Sequence, residues 1–464
     1  MQLLCFLKLV IHPVKQSRDG IVNGEIVVAR PRHIPRHMLV AGSAWASRIV
    51  TALVQLASVR ILTSSLGLEK FAVITLLTGL SAWFALSNCG AGLSLQNYIS
   101  ESRAKNLPYD EMTFASLVFT YLLLPVAGLI LYFLTPVLAP VLLQSFKCID
   151  EPEKCRLFFA TGIISITVGV GQILYNIWYA EQKGYFSNIF PAVGSLVGFM
   201  GLVLVSHSSA EDKTFLSLVS FTLPSALIPL VGLGLKIKLQ GKSSAEKIFA
   251  TMLKILKRGF KFWLFALMSI GVLQVDYIVI SQLLGSQELV VYSLSTRIFG
   301  VLAFMYTAVL LSLWPILAEL TVKADWEGIK RYLKRYIILG FIFIFLSTVI
   351  LIPMMPYFVK ILSPKEYVRI PVAFIILLGC YQMIRVWTDT FGAVLLSMSN
   401  LKPFWIFVPI QAVLSSSLQW TLSPYLGING IILGLICSFL FTVSWGLPMF
   451  ARKCYEISMN REPK

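Results

Sequence analysis

Twelve times along 464 residues the chain turns apolar for about twenty residues or more, and that repetition constrains its fold more than any other feature. An α-helix of that length spans a hydrocarbon core of roughly 30 Å. Inside lipid the backbone has no water to bond, so only helices and closed barrels cross. These stretches lack the period-two alternation of a barrel strand, which leaves helices. Composition agrees, at 57% hydrophobic and 13% charged with mean hydropathy +0.79, above the roughly 45–50% apolar content of a soluble domain.

Hydropathy and breakers place the spans at 39–62, 71–95, 113–138, 157–180, 186–206 and 214–235, then 261–284, 289–314, 336–359, 371–397, 403–423 and 429–450. With the N-terminus inside and loops alternating, the 39 Lys and Arg divide into 27 inside, 8 outside and 4 within spans. That asymmetry is the topology signal of a bacterial inner-membrane protein with both termini cytoplasmic. The loops from Lys236 to Lys261, with eight basic residues, and from Lys323 to Arg335, with five, carry much of it. The net charge of +17 therefore does not indicate nucleic acid, because the basic residues sit in short loops between apolar spans.

The expected organisation is an all-α polytopic protein: a cytoplasmic segment 1–38, an N-terminal lobe 39–235, a basic linker 236–260, a C-terminal lobe 261–450 and a tail 451–464. The apolar run Leu3–Ile11 is too short to span and lacks the flanks of a secretory signal, and translation beginning at Met38 would explain the segment. The two halves look related. Ile61-Leu-Thr-Ser-Ser-Leu-Gly67 before span two resembles Ile278-Val-Ile-Ser-Gln-Leu-Leu-Gly285 before span eight, which suggests a parallel repeat of six-helix lobes about an axis along the membrane normal.

Function in such a protein is read from ionisable groups inside spans, each costing on the order of 3 kcal/mol at the bilayer centre. Arg48, Arg60, Asp276, Arg297, Arg385 and Asp389 are those groups. Arg48, Thr51, Gln55 and Ser58 form one polar helix stripe expected to line a cavity; the competing reading has Arg48 snorkelling to the inner interface, as Arg60 does at the outer one. Asp276 and Arg297 flank the hairpin at Ser286 by ten and eleven residues, a spacing that permits an ion pair, either static or reorganised during transport. Arg385 and Asp389 stand at i and i+4 and can pair within their helix. Gln172, Asn176 and Tyr179 give span four a polar face suited either to sugars or to hydrogen bonds between helices. Cys148 and Cys155 share an external loop and are either a small disulfide or two free thiols. No cysteine or histidine spacing suggests a metal site, no cofactor is implied, and there is no P-loop, HExxH or GxSxG, so the chain does not read as an enzyme.

Three segments, in this order along the chain, carry a family resemblance: Gly90-Ala-Gly-Leu-Ser-Leu-Gln-Asn-Tyr-Ile-Ser-Glu-Ser-Arg-Ala-Lys105, Val275-Asp-Tyr-Ile-Val-Ile280 and Ser312-Leu-Trp-Pro-Ile-Leu-Ala-Glu319. With the two six-helix halves they resemble the bacterial polysaccharide (Wzx-type, O-antigen) flippases of the multidrug/oligosaccharidyl-lipid/polysaccharide exporter superfamily. The resemblance covers nearly all of residues 38–450. It implies two lobes around a central cavity and movement of an undecaprenyl-pyrophosphate-linked glycan between leaflets of the inner membrane, within reach of polysaccharide polymerase and chain-length machinery. Arg48, Arg297 and Arg385 then become candidates for the diphosphate, which a guanidinium binds bidentately without losing its charge. Thr51, Gln55, Gln172, Asn176 and Tyr179 become cavity lining, and Asp276 and Asp389 the carboxylates available for coupling to an ion. A cation-coupled drug exporter of the same superfamily and a membrane-embedded glycan polymerase are the alternatives. Four intramembrane Arg against two Asp weigh against the first, and the short external loops against the second.

Overall fold

The computed structural model describes residues 36–237 and 245–459, apart from 324, 367 and 399. The expectation of a start at Met38 concerns residues 1–37, of which 1–35 lie outside the described residues. The N-terminal half comprises α1 (Arg36–Leu66), α2 (Leu68–Ala85), α3 (Ala91–Ala104), α4 (Asp110–Leu142), α5 (Glu151–Ala180), α6 (Gly184–His207) and α7 (Lys213–Ile237). The C-terminal half comprises α8 (Ala245–Leu273), α9 (Val275–Leu283), α10 (Ser286–Val322), α11 (Trp326–Leu362), α12 (Val372–Ser397), α13 (Lys402–Leu426), α14 (Ile428–Phe441) and α15 (Val443–Met459).

Every expected span falls on one of these helices, but three of the spans are broken. Span two ends as α2, turns through left-handed Cys89 and Gly90, and resumes as α3. The Asn88 side chain fixes the turn, accepting from the Gly90 N–H at 2.9 Å and donating to the Gly169 carbonyl at 3.0 Å. Gly90 is required twice over: its φ is +72°, and a Cβ would lie 2.2 Å from the Gly259 carbonyl of α8. Span seven bends by 42° at Gln274, so that Asp276 enters the first turn of α9 rather than the middle of a long helix. The basic linker expected from 236 to 260 is helical from Ala245 onward and continues into the span as α8. Span twelve breaks at Thr442.

Among the described residues ten helices are long and apolar enough to cross a membrane, or eleven with α8 and α9 as one. The remaining expected span, α13, is 25 residues long and more polar. Its polar residues are not lipid-facing: Gln411, Ser415, Gln419 and Ser423 recur every fourth residue and are all buried. α14 brings its small residues against this stripe, since a Cβ on Gly434 would lie 2.7 Å from the Gln419 amide nitrogen and one on Gly430 2.5 Å from the Leu422 carbonyl. Polar residues meeting small ones is how membrane helices pack where burial of apolar surface brings no gain.

The architecture is all-α, in two lobes around a central cavity. α1 packs on α6 and α5 on α7 in the first lobe, as α8 packs on α13 and α12 on α14 in the second. Between lobes α2 meets α10, α9 meets α2, and α8 runs against α3 and α4. At the end carrying the α1–α2 turn, the lobes are joined by reciprocal bonds. Thr63 donates to the Leu362 carbonyl at 2.7 Å, Lys365 to the Ser64 carbonyl at 2.6 Å, and the Leu68 N–H to Glu366 at 3.2 Å. The hairpin of α9 answers from the other lobe: Gln144 donates to Gln282 at 2.6 Å, Gln282 to the Val141 carbonyl at 2.9 Å, and the Ser145 hydroxyl to the Ser281 carbonyl. At the opposite end Arg258 of α8 holds Glu101 of α3 with two bonds, at 2.7 and 3.1 Å, and lies 4.6 Å over the Tyr98 ring.

Candidate functional site between the lobes

A cavity of about 500 Å³ lies between α1 and the α9–α10 hairpin. The α1 stripe supplies Arg48, Thr51 and Gln55, and the second lobe supplies Asp276, Tyr277, Tyr292, Thr296 and Arg297. Both candidate arginines thus reach one space from different lobes. Ser58, the fourth member of the stripe, is fully buried and donates to the Gln55 carbonyl at 2.9 Å instead. That carbonyl also receives Arg297 Nη1 at 3.2 Å, and the guanidinium lies 5.9 Å from the centre of the Phe71 ring. One face of Arg297 is fixed while the rest of its fork remains available. Arg48 is exposed to the cavity. One turn before it, Trp45 meets Phe304 edge-on at 5.8 Å and narrows the cavity toward the N-terminal end of α1.

Asp276 does not pair with Arg297. Its carboxylate accepts from the Tyr292 hydroxyl and, at 3.1 Å, from the Tyr277 N–H, and no ion pair joins it to a cation among the described residues. The equal depth expected from residue counting assumes two straight helices; the 42° bend at Gln274 turns Asp276 toward Tyr292. Placing a carboxylate in the first turn of α9 also sets it near the positive end of the helix dipole. The Arg385–Asp389 pair does form, at 3.0 Å. It lies in a separate cavity of about 360 Å³ in the second lobe, with Thr388 and Gln411, which meets the central one at Leu273.

A third cavity of about 550 Å³ occupies the first lobe and shares Gln55, Gln274, Tyr277 and Arg297 with the central one. The three expected lining residues of span four line none of these spaces. Gln172 is exposed elsewhere, Asn176 is buried where a Gly92 Cβ would lie 2.2 Å from its amide nitrogen, and Tyr179 donates to Asn188 at 2.6 Å. Asn188 in turn donates to the Val40 carbonyl and to Ser43, so Tyr179 secures α5, α6 and α1 to one another. Sequence reasoning missed Tyr292, Thr296 and Gln274 because they are neutral polar residues, which membrane helices use freely for packing. The break of span seven that brings them to the cavity has no glycine or proline to mark it in the sequence.

The Cys148–Cys155 bridge is not formed, and both residues are free thiols. Each packs against the apolar core, and the Cys148 thiol faces Glu69 of α2 rather than Cys155. Burial and then that carboxylate push the Cys148 thiol up to about 11.

The cavity with two arginines from two lobes can be set beside known proteins. No family model matches the chain. A protein of Yersinia pseudotuberculosis named for O-antigen export is 37% identical over 427 residues, covering 91% of this chain and 97% of the relative. An O-antigen transporter of Salmonella typhi is 39% identical over 417 residues, covering 90% and 96%. The chain belongs to the O-antigen transporter family. Within solved structures, this O-antigen transporter homologue shares its fold with a lipid II flippase, MurJ, in an inward closed conformation, at TM-score 0.68, 14% identity and 89% and 87% coverage. An inward-facing multidrug resistance MATE transporter of the MOP superfamily matches at TM-score 0.69 and 12% identity, covering 91% and 99%. At those identities the likeness is one of fold, and it is the two-lobed fold expected of the O-antigen transporters.

Proposed function

We propose that this protein flips an undecaprenyl-pyrophosphate-linked oligosaccharide repeat unit, an O-antigen or similar surface polysaccharide precursor, from the cytoplasmic to the periplasmic leaflet of the inner membrane. The observation that carries the reading is the placing of Arg48 and Arg297 across one cavity whose one carboxylate among the described residues, Asp276, is already engaged by Tyr292. Such a space favours an anion. A diphosphate offers each guanidinium a bidentate partner, and each charge-assisted contact contributes about 1.5–3 kcal/mol.

The boundaries of the lobes are taken as 39–235 and 261–450, with both termini cytoplasmic. On that orientation the bonded end at Thr63–Leu362 and Gln144–Gln282 is the periplasmic gate, held closed. The diphosphate enters from the cytoplasm, Trp45 and Phe304 part, and the glycan crosses between the lobes while the polyprenyl tail stays in lipid. Breaking the reciprocal bonds releases the substrate outward, a shift between two packed arrangements. No bond of the substrate is made or cut, so the protein acts as a transporter and not as an enzyme. Arg385, held by Asp389, stands behind the first pair, and any carboxylate coupling to an ion rests with Asp276 or Asp389. The product leaves into the compartment where polymerase and chain-length machinery would take it.

The test is complementation of a strain deleted for its own O-unit flippase, scoring surface polysaccharide at matched membrane expression. Wild type is expected to rescue, with Arg48→Ala and Arg297→Ala lowering output by roughly tenfold or more each, the effect of losing one charged contact. Absence of rescue with every repeat unit supplied would overturn the reading.

A further inference from the structure

The cavity inside the first lobe has a lining that the diphosphate reading leaves unused. Its walls mix apolar side chains such as Ile164, Val168 and Phe221 with hydroxyls from α2, α5, α6 and α7, and Arg297 at the partition is its one charged side chain among the described residues. Most of these hydroxyls have already spent their protons on their own helices. Thr78 donates to the Ile74 carbonyl at 2.9 Å, Ser165 to Thr161 at 2.6 Å, Thr222 to Leu218 at 2.7 Å and Ser81 to Leu77 at 3.3 Å. A hydroxyl that has donated still carries lone pairs, so these walls present acceptors. Thr75 differs: its side chain is 2% exposed and its hydroxyl is buried without any hydrogen-bond partner. A buried unpaired hydroxyl costs roughly 1–3 kcal/mol, and Thr75 is one of the residues lining the cavity.

The ligand chemistry follows from that lining. A phosphate or carboxylate would press its lone pairs against those of the walls. A cation would meet Arg297 at the partition. What remains is a neutral molecule rich in hydroxyl donors, which gives protons to the walls and accepts from the Thr75 hydroxyl and the Gln55 and Gln274 amides. The volume of about 550 Å³ is within the range of roughly 300–1,000 Å³ of small-molecule sites. We infer that this pocket is a sugar subsite: with the diphosphate on Arg48 and Arg297, the sugar attached to it turns into the first lobe and is read by Thr75 and its neighbours. The inference rests on the flippase reading above, and it makes the first lobe the place where the reducing-end sugar is recognised.

The experiment measures binding to the full-length protein in detergent with two probes, undecaprenyl pyrophosphate and undecaprenyl-pyrophosphoryl-N-acetylglucosamine. Wild type is expected to bind the glycosylated probe about tenfold more tightly. Thr75→Val, which keeps the shape and removes the hydroxyl, and Thr222→Val, on a different helix, are each expected to bring the ratio of affinities to within about twofold of one. Two substitutions on separate helices guard against one that fails to fold. If both variants keep the wild-type ratio, or wild type prefers neither probe, the subsite is overturned while the flippase reading stands. If wild type binds neither probe, the flippase reading falls and the subsite with it.

Discussion

At the scale of single residues, the groups that matter differ in what already holds them. Arg297 is anchored on the Gln55 carbonyl and Arg385 on Asp389, while Arg48 is exposed toward the cavity. Removing Arg385 would strand Asp389 inside the second lobe. Arg385→Ala is therefore expected to lower thermal stability more than the double change Arg385→Ala with Asp389→Asn. The difference should be about 1–2 kcal/mol, discounted because both side chains are roughly a third exposed. Equal loss in the two variants would show that the pair contributes no coupling. Cys148 offers a second check. With its thiol raised by burial and by Glu69, maleimide labelling at pH 8 is expected to be slow in wild type and several-fold faster in Glu69→Gln.

Among individual elements, the breaks decide what the sequence could reveal. Apolar length located the spans, ten or eleven of which are apolar enough to cross a membrane among the described residues, because lipid demands about twenty residues from each. The stripe of Arg48, Thr51 and Gln55 was legible for the same reason: α1 is one unbroken helix, and spacings of three and four put these side chains on one face. Asp276 could not be placed that way. Neither glycine nor proline stands at Gln274, and the 42° bend reflects tertiary packing, including Tyr277 of α9 against Gly79 of α2, where a Cβ would lie 2.8 Å from the ring. The helical linker was masked by its charge: Lys254, Lys257 and Arg258 read as a loop, yet Arg258 reaches back to Glu101. That latch has a pH signature. The Arg258 guanidinium holds the Glu101 carboxyl below its usual range, so its contribution is present above about pH 4 and is lost as pH falls through the lowered value. Glu101→Gln should thus be less stable than wild type at pH 7 and indistinguishable from it well below pH 4, as melting temperatures would show.

The whole molecule is two lobes held together at one end by backbone-directed bonds and at the other by α8 across α3. Several of the former bonds use main-chain carbonyls, so they close in one register only. Gln282→Ala removes bonds to Gln144 and the Val141 carbonyl together. It is expected to shift spin-label distances across the α4–α5 and α9–α10 turns toward longer values; an unchanged distribution would mean that this end is not a gate. In the proposed mechanism, cationic side chains from both lobes make one path for a lipid-linked diphosphate. That mechanism is tested most directly in proteoliposomes, by following translocation of an undecaprenyl-pyrophosphate-linked oligosaccharide and of a cationic dye by wild type and Arg297→Ala. The account predicts that wild type moves the lipid-linked glycan, that Arg297→Ala slows it by roughly tenfold or more, and that the dye is not moved. Transport of the dye by a protein that leaves the lipid-linked glycan in place would contradict it and assign the cavity to drug export.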